Sequence, residues 1–80
     1  MNDLILIFAG SHNQYSDYCR KRQIPMERSR FVHSRENIIG MRNQTLICTG
    51  TWFTDLNSID IVETAKAQEF KITYDAKPSF

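Results

Sequence analysis

The run Leu4-Ile5-Leu6-Ile7-Phe8 is apolar without a break. A strand that alternates apolar and polar residues buries one face, whereas an unbroken apolar run needs cover on both. The segment therefore predicts the central strand of a sheet with helices on its two sides. Two more strand segments, Ser29 to His33 with its apolar part at Phe31 to His33, and Thr45 to Thr49 with its apolar part at Leu46 to Thr49, share the plan. Each is short and is followed by a polar turn and a helical pattern.

Gly10 and Ser11 end the first run, and Ser11 or Asn13 caps a helix through about Arg22. Tyr15, Tyr18, Cys19 and Arg22 recur along it at helical spacing, with the tyrosines and Cys19 expected to face the sheet. Ile24 and Pro25 stop this helix, because the residue before a proline is steered toward extended backbone. Ser34 offers a cap to a short helical segment over Arg35 to Ile39, which Gly40 closes in the left-handed conformation. The clearest helix spans about Ser58 to Phe70, capped by Asn57 or Ser58, with Asp60 and Glu63 near the start where the helix dipole favours acids. Its predicted inward stripe is Ile59, Val62, Ala65 and Glu69 or Phe70, with Ile61 at the margin. Lys71 to Tyr74 reads as a fourth strand and residues 76–80 as a loose tail. The expectation is an α/β fold over residues 1–80: a small four-stranded, mainly parallel sheet with helices packed on it. Its order is βαβαβαβ, Rossmann-like or reduced P-loop-like, with right-handed crossovers.

A length of 80 residues supplies one core. An apolar fraction of 41% beside a charged fraction of 24% is that of an ordinary globular chain, which argues against disorder. The run Leu4 to Ala9 is too short to cross a bilayer and lacks the basic flank and cleavage pattern of a signal peptide, so the expected location is cytoplasmic, with no membrane partner. Cys19 and Cys48 match no zinc or redox spacing and lie among apolar neighbours, as buried free thiols do.

Net charge is +1, but the charges are segregated along the chain. Residues 20–42 carry Arg20, Lys21, Arg22, Arg28, Arg30, Arg35 and Arg42 against Glu27 and Glu36. From residue 43 onward, Asp55, Asp60, Glu63, Glu69 and Asp75 outweigh Lys66, Lys71 and Lys77. A basic end favours an anionic partner if the cluster shares one face in space.

In an open parallel sheet, ligands bind beyond the carboxyl ends of the strands, where the strand order reverses. The candidate ligand- or partner-binding residues are therefore Gly10, Ser11, His12 and Asn13 after the first strand, and Gly50, Trp52 and Phe53 after the third. Amides opening a helix at Ser11 to Asn13 suit a phosphate or carboxylate, although an ordinary strand-to-helix turn accounts for the same residues. A P-loop needs a longer glycine-rich turn with a lysine and a hydroxyl, and the dinucleotide fingerprint needs three spaced glycines; neither is present. His12 reads as a general base or as a solvent-facing neighbour of the cap, and His33 as a structural side chain at a strand end. No catalytic set, cofactor motif or metal-ligand spacing is complete. Trp52 is either an aromatic anchor for a partner or base, or the lid of a small core. Arg35 and Arg42 flank the short helical segment and, if adjacent in space, present planar forks to one phosphate or acidic group.

The segment Val32-His33-Ser34-Arg35-Glu36-Asn37-Ile38-Ile39-Gly40-Met41-Arg42, followed by Thr45 to Thr49 and Gly50-Thr51-Trp52, loosely resembles small phage-encoded α/β proteins that look like reduced helicase or terminase ATPase cores. In those ATPases a strand, a short helix ending in glycine and arginine, and a further strand precede the magnesium-binding acids. The chain departs from them in having no phosphate loop after Phe8 and Thr49-Gly50 in place of paired acids, which removes the charges that phosphoryl transfer needs. The resemblance implies a phage or prophage accessory protein of the host cytoplasm that uses the scaffold for binding. Two functions follow as expectations. The first is a non-enzymatic module that binds a host or viral protein through Trp52 and Phe53, with Arg35 and Arg42 nearby. The second is nucleotide or nucleic-acid binding through the turns after strands 1 and 3. An open sheet edge also makes a homodimer compatible with the sequence, alongside a monomer.

Overall fold

A computed structural model describes residues 4–75. The strands are β1 (Ile5–Phe8), β2 (Ser29–Val32), β3 (Thr45–Cys48) and β4 (Lys71–Tyr74), and the helices α1 (His12–Arg22) and α2 (Ser58–Ala67). Short 3-10 turns lie at Met26–Arg28, Arg35–Asn37 and Trp52–Thr54. The expected tail at 76–80 lies outside the described residues.

All pairings are parallel and the order is β2-β1-β3-β4. The unbroken apolar strand is thus internal, as its composition requires. From β1 the chain steps to β2 on one side, and from β3 it steps to β4 on the other. One crossover hand then requires α1 and α2 to cover opposite faces, and the core divides accordingly. Leu6, Phe8, Val32, Leu46 and Cys48 pack with Ile38, Trp52, Ile61, Ala65 and Phe70 on the α2 face. Ile7 and Ala9 pack with Tyr15 and Cys19, and with the partly buried Ile5, Phe31 and Ile47, on the α1 face. The register confirms the division: Phe8 aligns with Val32 and Cys48, whereas Ile7 aligns with Phe31 and Ile47.

One helix cannot cover four strands, and β4 is composed accordingly. Ile72 belongs to the α2-side core, whereas Lys71 and Thr73 are exposed on the other face. The lysine also guards an edge whose backbone groups would otherwise invite pairing.

The ends of the helices hold both agreements and corrections. Ser11, in extended backbone, accepts from the Gln14 N–H, while Gln23 closes α1 in the left-handed conformation at φ 55°. Asn57 precedes α2 without capping it through its side chain, and the helix ends at Ala67, before the expected Phe70. The segment at Arg35 is a 3-10 turn ending at Asn37, with Ser34 and Asn37 in a reciprocal capping box. Gly40 then takes positive φ, as its place in the sequence predicts.

The stripe of α2 differs most from expectation. Ile61 and Ala65 are fully buried, Val62 is partly so, and Ile59 is 77% exposed. Ile61, Ala65 and Gln68 form the inward row, with the Gln68 amide donating to the carbonyls of Ile38 and Met41 at 2.5 and 2.6 Å. Ile59 and Ile61 belong to adjacent stripes of similar hydropathy. Periodicity alone does not separate them, and tertiary partners decide.

Candidate functional site

Reversal of direction between β1 and β3 places the switch point between Gly10 and Gly50, where the sequence puts it if β1 lies between β2 and β3. The crevice is filled by Gln14, a residue that sequence reasoning did not single out. Its Oε1 accepts the backbone N–H groups of Gly10 and Thr51, both at 2.9 Å, and its Nε2 donates to Thr51 Oγ1 at 3.0 Å. The fit demands glycine on each side. A Cβ at Gly50 would stand 2.2 Å from Gln14 Oε1, and one at Gly10 would stand 2.1 Å from Thr51 Oγ1. Two glycines, each just beyond an internal strand, were the available signal for a side chain crossing between the turns.

Beside this plug, on the face that α1 only partly covers, runs a polar groove lined by Gln14, Tyr18, Arg22, Thr49, Gly50 and Asp75. Asp17 and Lys21 line it as well, and within it Arg22 and Asp75 are matched to each other. The Arg22 guanidinium meets Asp75 Oδ1 at 2.9 Å, and Thr49 Oγ1 donates to Asp75 Oδ2 at 3.1 Å. The same guanidinium lies 5.5 Å from the Tyr18 ring centroid. Burial, followed by the nearby Asp75 carboxylate, raises the Tyr18 pKa, so the phenol holds its proton.

His12 and His33 come together around one ring. Each lies 5.6 Å from Phe31 between centroids, and Phe31 stacks on Tyr15 at 5.3 Å. Among the described residues no set of three or more His, Cys, Asp or Glu side chains is placed to hold a metal. Asn13 is exposed on the first turn of α1. Arg35 follows the carboxyl end of β2, while Arg42 precedes the amino end of β3, so the two stand at opposite ends of the crossover joining those strands. They do not form one fork for one anion.

Trp52 is a core residue, 8% exposed. Its ring lies 6.0 Å from Phe8, 5.5 Å from Tyr74 and 5.8 Å from the half-buried Phe53. Of the two readings of Trp52, the lid of a small core is the one the burial supports, and the version in which an exposed indole anchors a partner is set aside. What remains at the surface is a cleft of about 190 Å³ above it, lined by Trp52, Ser58, Ile59, Val62 and Glu63. Ile59 forms one wall, and Leu56, in the turn just before α2, is 100% exposed. Leu56 is two residues before Ser58, which lines the cleft, and isolated apolar residues of this kind are common on protein surfaces.

Both thiols are buried and free, Cys19 on the α1 face and Cys48 on the α2 face. Burial pushes the Cys48 pKa up to about 12, so it is not a nucleophile near neutral pH.

No family model, no curated protein and no solved structure matches this chain. No helix among the described residues is long and apolar enough to cross a membrane.

Proposed function

We propose that this chain is a small non-enzymatic interaction module, a phage or prophage accessory protein that docks a host or viral protein through the rim formed by Leu56, Ile59, Val62 and the cleft over Trp52. The observation that carries this reading is Ile59, 77% exposed where it lines a mostly apolar cleft, with the 100% exposed Leu56 three residues before it in the chain. Water contact with this surface is costly, and a partner that covers it recovers the hydrophobic free energy. The internally bonded switch point supports the same ranking. Its convergent N–H groups, which a nucleotide phosphate would seek, are already held by Gln14.

Affinity capture from host lysate with wild-type protein and with Leu56→Asp and Ile59→Asp tests the reading. Both side chains are exposed, so each variant keeps its melting temperature to within about 3 °C. The expected result is a bound protein that both variants lose. Retention of every bound protein by both variants rejects this surface. A rise in melting temperature with a nucleotide or an oligonucleotide, equal in wild type and variants, puts the nucleotide-binding reading first.

A further inference from the structure

We infer that the occupant of the cleft over Trp52 is a cationic amphipathic segment of a partner protein, one apolar side chain filling the cleft and lysines or arginines meeting the surrounding carboxylates. The inference rests on the docking reading above and adds the partner's chemistry.

Charge selects the class. Glu63 lines the cleft itself, and Asp55 and Asp60 flank Leu56 and Ile59 in the chain. Against these three acids, residues 51–67 hold a single cation, Lys66, which lies 4.0 Å from Glu63 as an exposed pair. Such a pair is worth little and yields readily to a better-placed cation. A second copy docked rim to rim is the wrong occupant, because two such rims brought face to face set carboxylates against carboxylates. An anionic lipid surface is disfavoured by the same charges.

Size selects the anchor. A cavity of about 150 Å³ holds a benzene-sized group, so a cleft of about 190 Å³ takes one leucine- to phenylalanine-sized side chain. The remaining apolar positions of an amphipathic helix then lie along Ile59 and Leu56, as in helix-in-groove recognition. A fully apolar partner adds no counter-charge to Asp55, Asp60 and Glu63, and an acidic one is repelled.

Trp52 is the chain's only tryptophan and forms the floor of the cleft, so its emission reports occupancy. The experiment titrates the full chain with two helical peptides of identical leucine spacing, one with lysine and the other with glutamate at every polar position. The expected result is saturable binding of the lysine peptide at least tenfold tighter than the glutamate peptide. Glu63→Lys should reduce that preference at least threefold, with Glu63→Gln intermediate as a milder variant that removes charge without reversing it. Equal affinity for the two peptides, or a preference untouched by both Glu63 variants, overturns the cationic-partner inference while leaving the docking reading standing. Absence of saturable binding by either peptide overturns the inference, and loss of the docking reading is then diagnosed separately by lysate capture that survives Ile59→Asp. Concentration-dependent dimerisation abolished by Ile59→Asp, or binding of phosphatidylcholine vesicles in place of the peptides, overturns it in favour of a second copy or a membrane surface.

Discussion

The switch point between β1 and β3 and the rim between β3 and α2 stand at the same end of the sheet, yet they are finished in opposite ways. At the first, the backbone groups that converge from two turns are bonded by a side chain from the protein itself, and the approach is so close that only glycine fits at Gly10 and Gly50. At the second, the buried indole of Trp52 is followed within a few residues by a fully exposed leucine and a mostly exposed isoleucine. Polar satisfaction at one place and apolar exposure at the other suggest where a binding partner gains most. A ligand at the switch point must displace bonds already made, whereas a partner at the rim displaces water and at most the exposed Lys66–Glu63 pair.

The contrast is sharpest if Trp52 belongs wholly to the folded core and only its neighbours belong to the surface. Trp52→Ala should then be the most damaging substitution on this end of the molecule, costing about 3–5 kcal/mol as a large-to-small change in a core. Urea unfolding measures it. A cost below about 1 kcal/mol, the range of a surface substitution, would return the indole to the surface and merge the two regions into one.

Gly50→Ala tests the closed region. Gly50 has φ of +62°, and its added Cβ falls on Gln14 Oε1. Left-handed backbone costs a non-glycine residue about 1–2 kcal/mol, and displacement of the Gln14 amide adds the loss of its bonds to Gly10 and Thr51. The expected total is about 2–3 kcal/mol, read as a lowered urea midpoint with an unchanged slope. Gly10→Ala, with no positive φ, should cost less. If Gly50→Ala is neutral, the plug is not holding the turns together.

Cys48 reports whether the open rim admits water to the core beneath it. Its folded pKa is raised from 9.0 to about 12 by burial. Below pH 9 the thiol is protonated in both states and has no effect on the pH dependence of stability. As pH rises from 9 towards 12 the unfolded chain loses this proton and the folded chain keeps it, so stability falls by up to about 1.4 kcal/mol per pH unit. Cys48→Ala should remove that part of the slope. A slope indifferent to the substitution would mean that solvent reaches Cys48 through the rim.

The layout of the sheet could be read from residues because each strand's composition matches its exposure. Leu4 to Phe8, apolar throughout, became an internal strand, and Lys71-Ile72-Thr73-Tyr74, alternating, became an edge covered on one face. The switch point followed from order alone. The site was harder, because its decisive facts are tertiary. Gln14 carries no motif, and only the two glycines hint at it. Ile59 and Ile61 fit neighbouring helical stripes equally well, and the bonds of Gln68 to Ile38 and Met41 accompany the choice between them. Arg35 and Arg42 are close in sequence but bracket a crossover, which carries them to opposite ends of the sheet.

The smallest expected effect is the most informative about the switch point. Gln14→Ala removes an acceptor shared by a partly buried Gly10 N–H and an exposed Thr51 N–H. Water can replace it at Thr51 and less easily at Gly10, so the loss should be about 1 kcal/mol. The substitution also leaves two convergent N–H groups beside the start of α1, a geometry that an oxyanion can bridge. Thermal melts of wild type and Gln14→Ala, with and without inorganic phosphate at constant ionic strength, separate two cases. Phosphate that stabilises neither protein leaves Gln14 as a structural tie and the contrast between the two regions intact. Phosphate that restores the Gln14→Ala melting temperature while leaving wild type unmoved breaks the comparison. The carboxamide would then be the occupant of an anion site, and the closed region would differ from the open one only in carrying its own ligand.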